Sequence, residues 1–174
     1  MGYKFDYEIY KLTTKFETDY PTTKYPELLY KADRPHYCML VDIYCDYFIC
    51  LPFRSYIYHT NAFMFKNTKR SQQRHSGIDY SKMIIIKDLD YLDSSNVVID
   101  KDEYLQAIKF APKIISESVQ YLNDYILHIN GSALLSEIEF DKRYKFSTLK
   151  YFHDILGLSN PPPFETGSSN LVTV

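Results

Sequence analysis

Tyr37-Cys38-Met39-Leu40-Val41-Asp42-Ile43-Tyr44, then Cys45-Asp46, then Tyr47-Phe48-Ile49-Cys50-Leu51-Pro52-Phe53: the reading of these residues decides the fold class. Two runs of aromatic, β-branched and thiol side chains flank a short acidic break. Such side chains fit a half-buried pleated surface, and a tight polar turn between two such runs predicts a hairpin. Working outward, Tyr3 to Leu12 alternates loosely and predicts a first strand. Phe63 to Phe65, Met83 to Lys87 and Val97 to Ile99 predict three more short strands. Tyr20-Pro21, Tyr25-Pro26 and Asp33-Arg34-Pro35 predict a long loop before the hairpin, because proline restricts the residue preceding it. Short strands with tight connections favour a compact, strongly bent antiparallel sheet or barrel over a parallel α/β arrangement.

From Asp100 the hydrophobic period changes. Leu105, Ile108, Ile115, Val119, Leu122, Ile126 and Ile129 recur at three- to four-residue spacing, as a helix with one buried stripe requires. Asp100 or Asp102 is a good N-cap and Asn130-Gly131 a stop. Pro112 lies inside the pattern and predicts a break near Ala111. A last helix is expected within Asp141 to Leu156, ending at Gly157. The chain thus reads as α+β, one domain over residues 1–158 with C-terminal helices. Residues 159–174, with three consecutive prolines and Gly-Ser-Ser, read as an extended, mobile tail.

A length of 174 residues suits one domain with a sizeable core, and 45% hydrophobic with 24% charged residues excludes wholesale disorder. The aromatic load is unusual: 18 Tyr and 11 Phe without a Trp. Tyrosine serves strand surfaces, interfaces and base stacking alike. No signal-peptide pattern opens the chain, and no run approaches the ~18 apolar residues of a membrane span. Cys38, Cys45 and Cys50 are odd in number, lack metal-ligand spacing and read as reduced thiols. A cytoplasmic protein without a membrane partner, metal or cofactor is expected.

The net charge of −2 hides the most informative stretch. The 32 residues between Asp46 and Asp79 contain no Asp or Glu, where the overall composition would supply about four. They carry Arg54, Lys66, Lys69, Arg70 and Arg74, with His59 and His75, and Tyr56, Tyr58, Phe63 and Phe65. Cations for phosphates interleaved with rings for bases suit a single-stranded nucleic acid. A solvated basic loop over Lys66 to His75 fits the same residues equally well. Within the stretch, Arg54 and Ser55 end a strand and His59 follows. A guanidinium to hold a phosphate, a hydroxyl to orient a 2′-OH and an imidazole to move a proton suit phosphoryl transfer, although a serine in that position is more often a turn residue. No Gly-rich phosphate loop, nucleophile elbow or carboxylate–histidine metal motif is present, so metal-free chemistry is the default.

The order Arg34-Pro35-His36-Tyr37, two strands, Leu51-Pro52-Phe53-Arg54-Ser55, His59, Gly77-Ile78-Asp79-Tyr80-Ser81-Lys82-Met83-Ile84-Ile85-Ile86 and Phe146-Ser147-Thr148-Leu149-Lys150-Tyr151-Phe152 resembles the type III toxin–antitoxin toxins. These form the ToxN/AbiQ family, and the likeness is to its CptN-like branch, over about Tyr3 to Leu158. The resemblance implies a bent Kid/MazF-type sheet wrapped by helices. It also implies a role in phage defence as an endoribonuclease that leaves 2′,3′-cyclic phosphate and 5′-hydroxyl ends. The implied partners are RNA alone, not DNA: cellular substrates, and a folded, repeat-encoded antitoxin that alternates with the toxin in a closed assembly. The family's catalytic serine falls on Ser55, the preceding polar position on Arg54, the lysine after the loop proline on His36, and the upstream tyrosine on Tyr30. The expected site is therefore Ser55, Arg54, His36 and His59 facing one groove. RNA contacts are expected from Tyr30, Tyr56, Lys66, Lys69, Arg70, Arg74 and Lys82, with residues 66–75 mobile until RNA binds. Two alternatives stay open: a toxin of this fold held by a protein antitoxin, and a non-catalytic RNA-binding module.

Overall fold

The computed structural model describes residues 4–29, 36–42, 46–132 and 134–159. Tyr30, Cys45 and the tail beyond Ser159 lie outside the described residues. The described chain is α+β, with a seven-stranded antiparallel sheet and several helices. Strands β1 (Lys4–Leu12), β2 (Tyr37–Asp42) and β3 (Phe48–Arg54) form a meander. The hairpin read from the aromatic runs is present in register, Cys38 opposite Pro52 and Asp42 opposite Phe48. Pro52 near the strand end and the buried thiols Cys38 and Cys50 belong to its packed surface.

β3 has two successive neighbours on its other side. Its first half, Phe48 to Cys50, pairs with β6 (Ile84–Ile86). Its end, Phe53 and Arg54, pairs with β5 (Gly77–Asp79), which pairs in turn with the edge strand β4 (Ala62–Met64). A two-residue strand, β7 (Leu92–Asp93), closes the far side against β1. The path runs from β4 to β7 and, among the described residues, is an open sheet rather than a closed barrel. Gly77 is required where β4 and β5 meet: a Cβ there would sit 2.3 Å from the Phe63 carbonyl oxygen. Backbone cannot move aside as a side chain can. Gly77→Ala is expected to cost about 2 to 3 kcal/mol, read as a lower urea midpoint with an unchanged slope.

Several expectations are corrected. Val97 to Ile99 is not a strand, whereas Gly77 to Asp79 is. The loop expected after β1 contains α1 (Thr14–Asp19), formed because Phe16 is fully buried and stacks on Tyr20 at 4.7 Å. The predicted break is real: α3 (Lys101–Lys109) ends at Phe110 and α4 (Ala111–Ile129) begins with Pro112 in its first turn, where a missing N–H costs nothing. The apolar stripe holds on α4, through Ile115, Val119 and Leu122. It fails on α3, where Leu105 is exposed and Glu103 with Ala107 faces inward. The break rotates one helix relative to the other, so one stripe cannot serve both. α5 (Glu137–Tyr144) is opened by a Ser136–Glu139 capping box, and α6 (His153–Leu156) stops at Gly157 in the left-handed conformation. The expected last helix is therefore two, shifted toward the N-terminus.

The stretch expected to be a mobile loop is also corrected. Residues Lys69–Arg74 form α2, with Thr68 and Ser71 in a capping box. No apolar period signals this helix. Its cap is buried, and its second residue, Arg70, is tied into the core.

Candidate active site

Along a strand, successive side chains point to opposite faces. Phe53, Ile78 and Phe63 therefore share one face of the β3–β5–β4 corner, and Phe63 meets Phe110 at the α3–α4 junction with ring centroids 5.4 Å apart. Arg54 and Asp79 share the other face, and there the polar cluster forms. Asp79 is fully buried and holds the cluster together. One carboxylate oxygen takes Arg54 Nη1 at 2.6 Å. The other accepts from the Ser81 hydroxyl at 2.7 Å and the Ser81 backbone N–H at 3.0 Å, with His59 Nε2 at 3.4 Å. Burial alone would raise the Asp79 carboxyl, but its contacts to His59 and Ser81 and the Arg54 charge outweigh it and hold it below the usual range.

His59 is 38% exposed in its side chain. A carboxylate can only accept, so the proton facing Asp79 sits on Nε2 and Nδ1 is the basic nitrogen. The cluster thus presents an oriented imidazole, part of a guanidinium and a buried negative charge. Such an arrangement is chemically able to move one proton beside an anion.

The other predicted groups are placed as follows. His36 adjoins Arg54, and its Nε2 is buried with no hydrogen-bond partner among the described residues. Burial, then the Arg54 charge, pulls its pKa down to about 4, so it is neutral at physiological pH. Lys82 is only 6% exposed and is held by Glu27 at 2.7 Å and by the Phe146 carbonyl, away from any surface phosphate. Ser55 is not joined to Arg54, His36 or His59 by any hydrogen bond among the described residues. Its hydroxyl accepts from Arg70 Nε at 3.0 Å, and Arg70 Nη1 lies 3.2 Å from the fully buried Glu103. The Ser76 and Thr68 hydroxyls also donate to Glu103. Tyr56, Lys66, Lys69 and Arg74 are exposed, as a binding surface needs, and Tyr58 is 74% exposed.

Sequence reasoning missed Asp79, Ser81 and Glu103. Asp79 served as the boundary of the acid-free stretch and as part of the motif order, with no role of its own; that the first acid after five cations is followed by Ser81 and Lys82 was the available signal. Glu103 gave none, since an acid in the first turn of a helix usually faces water.

His36 makes folding pH-dependent in a definite direction. It protonates near 6.5 in the unfolded chain and only at about 4 in the fold. Between those values the unfolded state binds more protons, so stability falls as pH falls, by at most about 3 kcal/mol. Above pH 6.5 this contribution is constant. His36→Phe is expected to flatten the urea midpoint between pH 7 and 4.5; an unchanged slope would show that the loss arises elsewhere.

No helix among the described residues is long and apolar enough to cross a membrane. No family model, no curated protein and no solved structure matches the chain.

Proposed function

We propose that the chain is a metal-independent endoribonuclease of the toxin class, working in the cytoplasm and restrained by a folded, repeat-derived RNA antitoxin. The observation that carries the reaction is His59, held on Asp79 beside Arg54, within a stretch of sequence that supplies five cations and no acid before Asp79. His59 Nδ1 takes the proton of a ribose 2′-OH, and the 2′-oxygen attacks the adjacent phosphorus. The bond to the 5′-oxygen breaks, leaving a 2′,3′-cyclic phosphate, and the leaving oxygen takes its proton from water. Arg54 balances the charge on the phosphate oxygens, and Ser55 with Arg70 steadies the strand next to it. Tyr56 and Tyr58 offer faces for bases, and Lys66, Lys69 and Arg74 take phosphates. The antitoxin partner, and the reading of the open sheet as a strongly bent Kid/MazF-type sheet, rest on the motif order that resembles the ToxN/AbiQ family.

Cleavage of single-stranded RNA is expected to persist in EDTA and to leave cyclic phosphate ends. It is expected to be abolished in Arg54→Ala and strongly reduced in Ser55→Ala with the fold intact. A strict need for divalent metal, or 3′-hydroxyl products, would overturn the in-line attack. One observation favours a second reading, a non-catalytic RNA-binding module: Arg54 and Ser55 are both already engaged inside the protein. That reading predicts RNA binding without cleavage in the unaltered chain.

A further inference from the structure

A cleft of about 1060 Å³ opens beside β4, at the upper limit of the range typical of ligand sites. One wall is the edge strand β4, the other the α3–α4 junction, with Leu105, Gln106, Lys109 and Phe110. The hydrogen-bond parity of β4 is fixed by its neighbours: the Asn61 carbonyl accepts from Tyr80 N–H, and Phe65 N–H donates to the Ser76 carbonyl. Residues 61, 63 and 65 therefore bond to β5, and residues 62, 64 and 66 turn their peptide groups toward the cleft. At Lys66 those groups are already taken. The Gln106 carboxamide accepts from Lys66 N–H at 2.9 Å and donates to Lys66 C=O at 2.7 Å, as a neighbouring strand would. At Ala62 and Met64 nothing among the described residues closes on the outward N–H and C=O.

We propose that this edge is a docking site for an extended acidic segment of a partner protein, added to β4 as a further strand. A polypeptide supplies N–H and C=O groups at the strand's own spacing, whereas the outward carbonyls of Ala62 and Met64 oppose a phosphate backbone. The charge selects an acidic sequence. Four cations line the cleft, Lys113 engaged by Glu117 and Arg143 by Asp124, with Asp102 the one further acid in the lining. Lys66 and Lys109 have no acidic partner among the described residues. Leu105 and Phe110, both exposed, offer apolar surface to alternate side chains. Gln106 marks where the added strand ends. Lys66 is shared with the RNA surface proposed above, whereas His59, Asp79 and Arg54, the groups of the cleavage step, do not line the cleft.

The test uses the whole chain and two pools of labelled, N-acetylated hexapeptides, one with Glu and one with Lys at every second position. The Glu pool is expected to bind, the Lys pool to bind about tenfold more weakly, and Lys66→Glu with Lys109→Glu to reverse the preference. The Ala62 and Met64 amides are expected to gain hydrogen-exchange protection. N-methylation of alternate residues in the best-binding peptide is expected to abolish binding. Equal binding of both pools, failure of the Glu pool to bind, indifference to N-methylation, or displacement of the peptide by an oligouridylate that protects the same amides would each overturn the proposal. The last outcome would make the occupant RNA.

Discussion

Asp79→Asn is expected to lower RNA cleavage by about two to four orders of magnitude, the usual range for losing a positioned acid–base group. The carboxylate is fully buried and serves two bases at once, Arg54 on one oxygen and His59 with Ser81 on the other. An asparagine fills the same space but has one acceptor oxygen, and its amide N–H groups face donors. His59 then loses the partner that fixes its proton on Nε2, and Arg54 keeps its charge without a counter-charge. Removing one member of a buried pair leaves the other uncompensated, so a stability loss of about 3 kcal/mol should accompany the loss of rate. Single-turnover cleavage of an end-labelled RNA, measured beside urea unfolding of the same variant, separates the two effects. Full cleavage by folded Asp79→Asn would remove His59 from the reaction.

Glu103→Ala is expected to cost about 3 to 5 kcal/mol of stability. Glu103 is fully buried on α3 and collects Arg70, Ser76 and Thr68 from the segment that carries α2. Truncation strands two hydroxyls and a guanidinium together. Melting should begin in residues 66–76, visible as hydrogen exchange there at denaturant concentrations that leave β2 and β3 protected. Glu103→Gln keeps acceptors for the two hydroxyls and should lose less. A Glu103→Ala variant within about 0.5 kcal/mol of the parent would place Glu103 among neutral surface positions and contradict its burial.

The hairpin of β2 and β3, the break before Ala111 and the stop at Gly157 were legible because each rests on local chemistry: aromatic and β-branched runs, a missing N–H, a residue free to take positive φ. α2 was not legible because six residues without an apolar period cannot announce a helix; its cap and its tie to Glu103 exist only in the folded molecule. The same holds for the site. Arg54, Ser55 and His59 stood out by type and order, yet the groups that orient them, Asp79 and Glu103, were chosen by tertiary contact. Lys82 misled for the matching reason, since a cation in a polar stretch says nothing of Glu27 waiting 55 residues away.

The double pairing of β3 also has an evolutionary meaning. The chain leaves β3 after Arg54 and enters β5 at Gly77, directly opposite in the ladder. Everything between, including β4, α2 and four of the five basic residues, is an excursion whose two ends meet. Lengthening a closed excursion costs little chain entropy, growing only with the logarithm of its length. The β3–β5 pairing itself therefore sets few limits on how long the excursion grows, beyond its ties to Asp79, Glu103 and Gln106. A lineage can rewrite the exposed residues of this one cassette while the sheet that frames it is inherited intact.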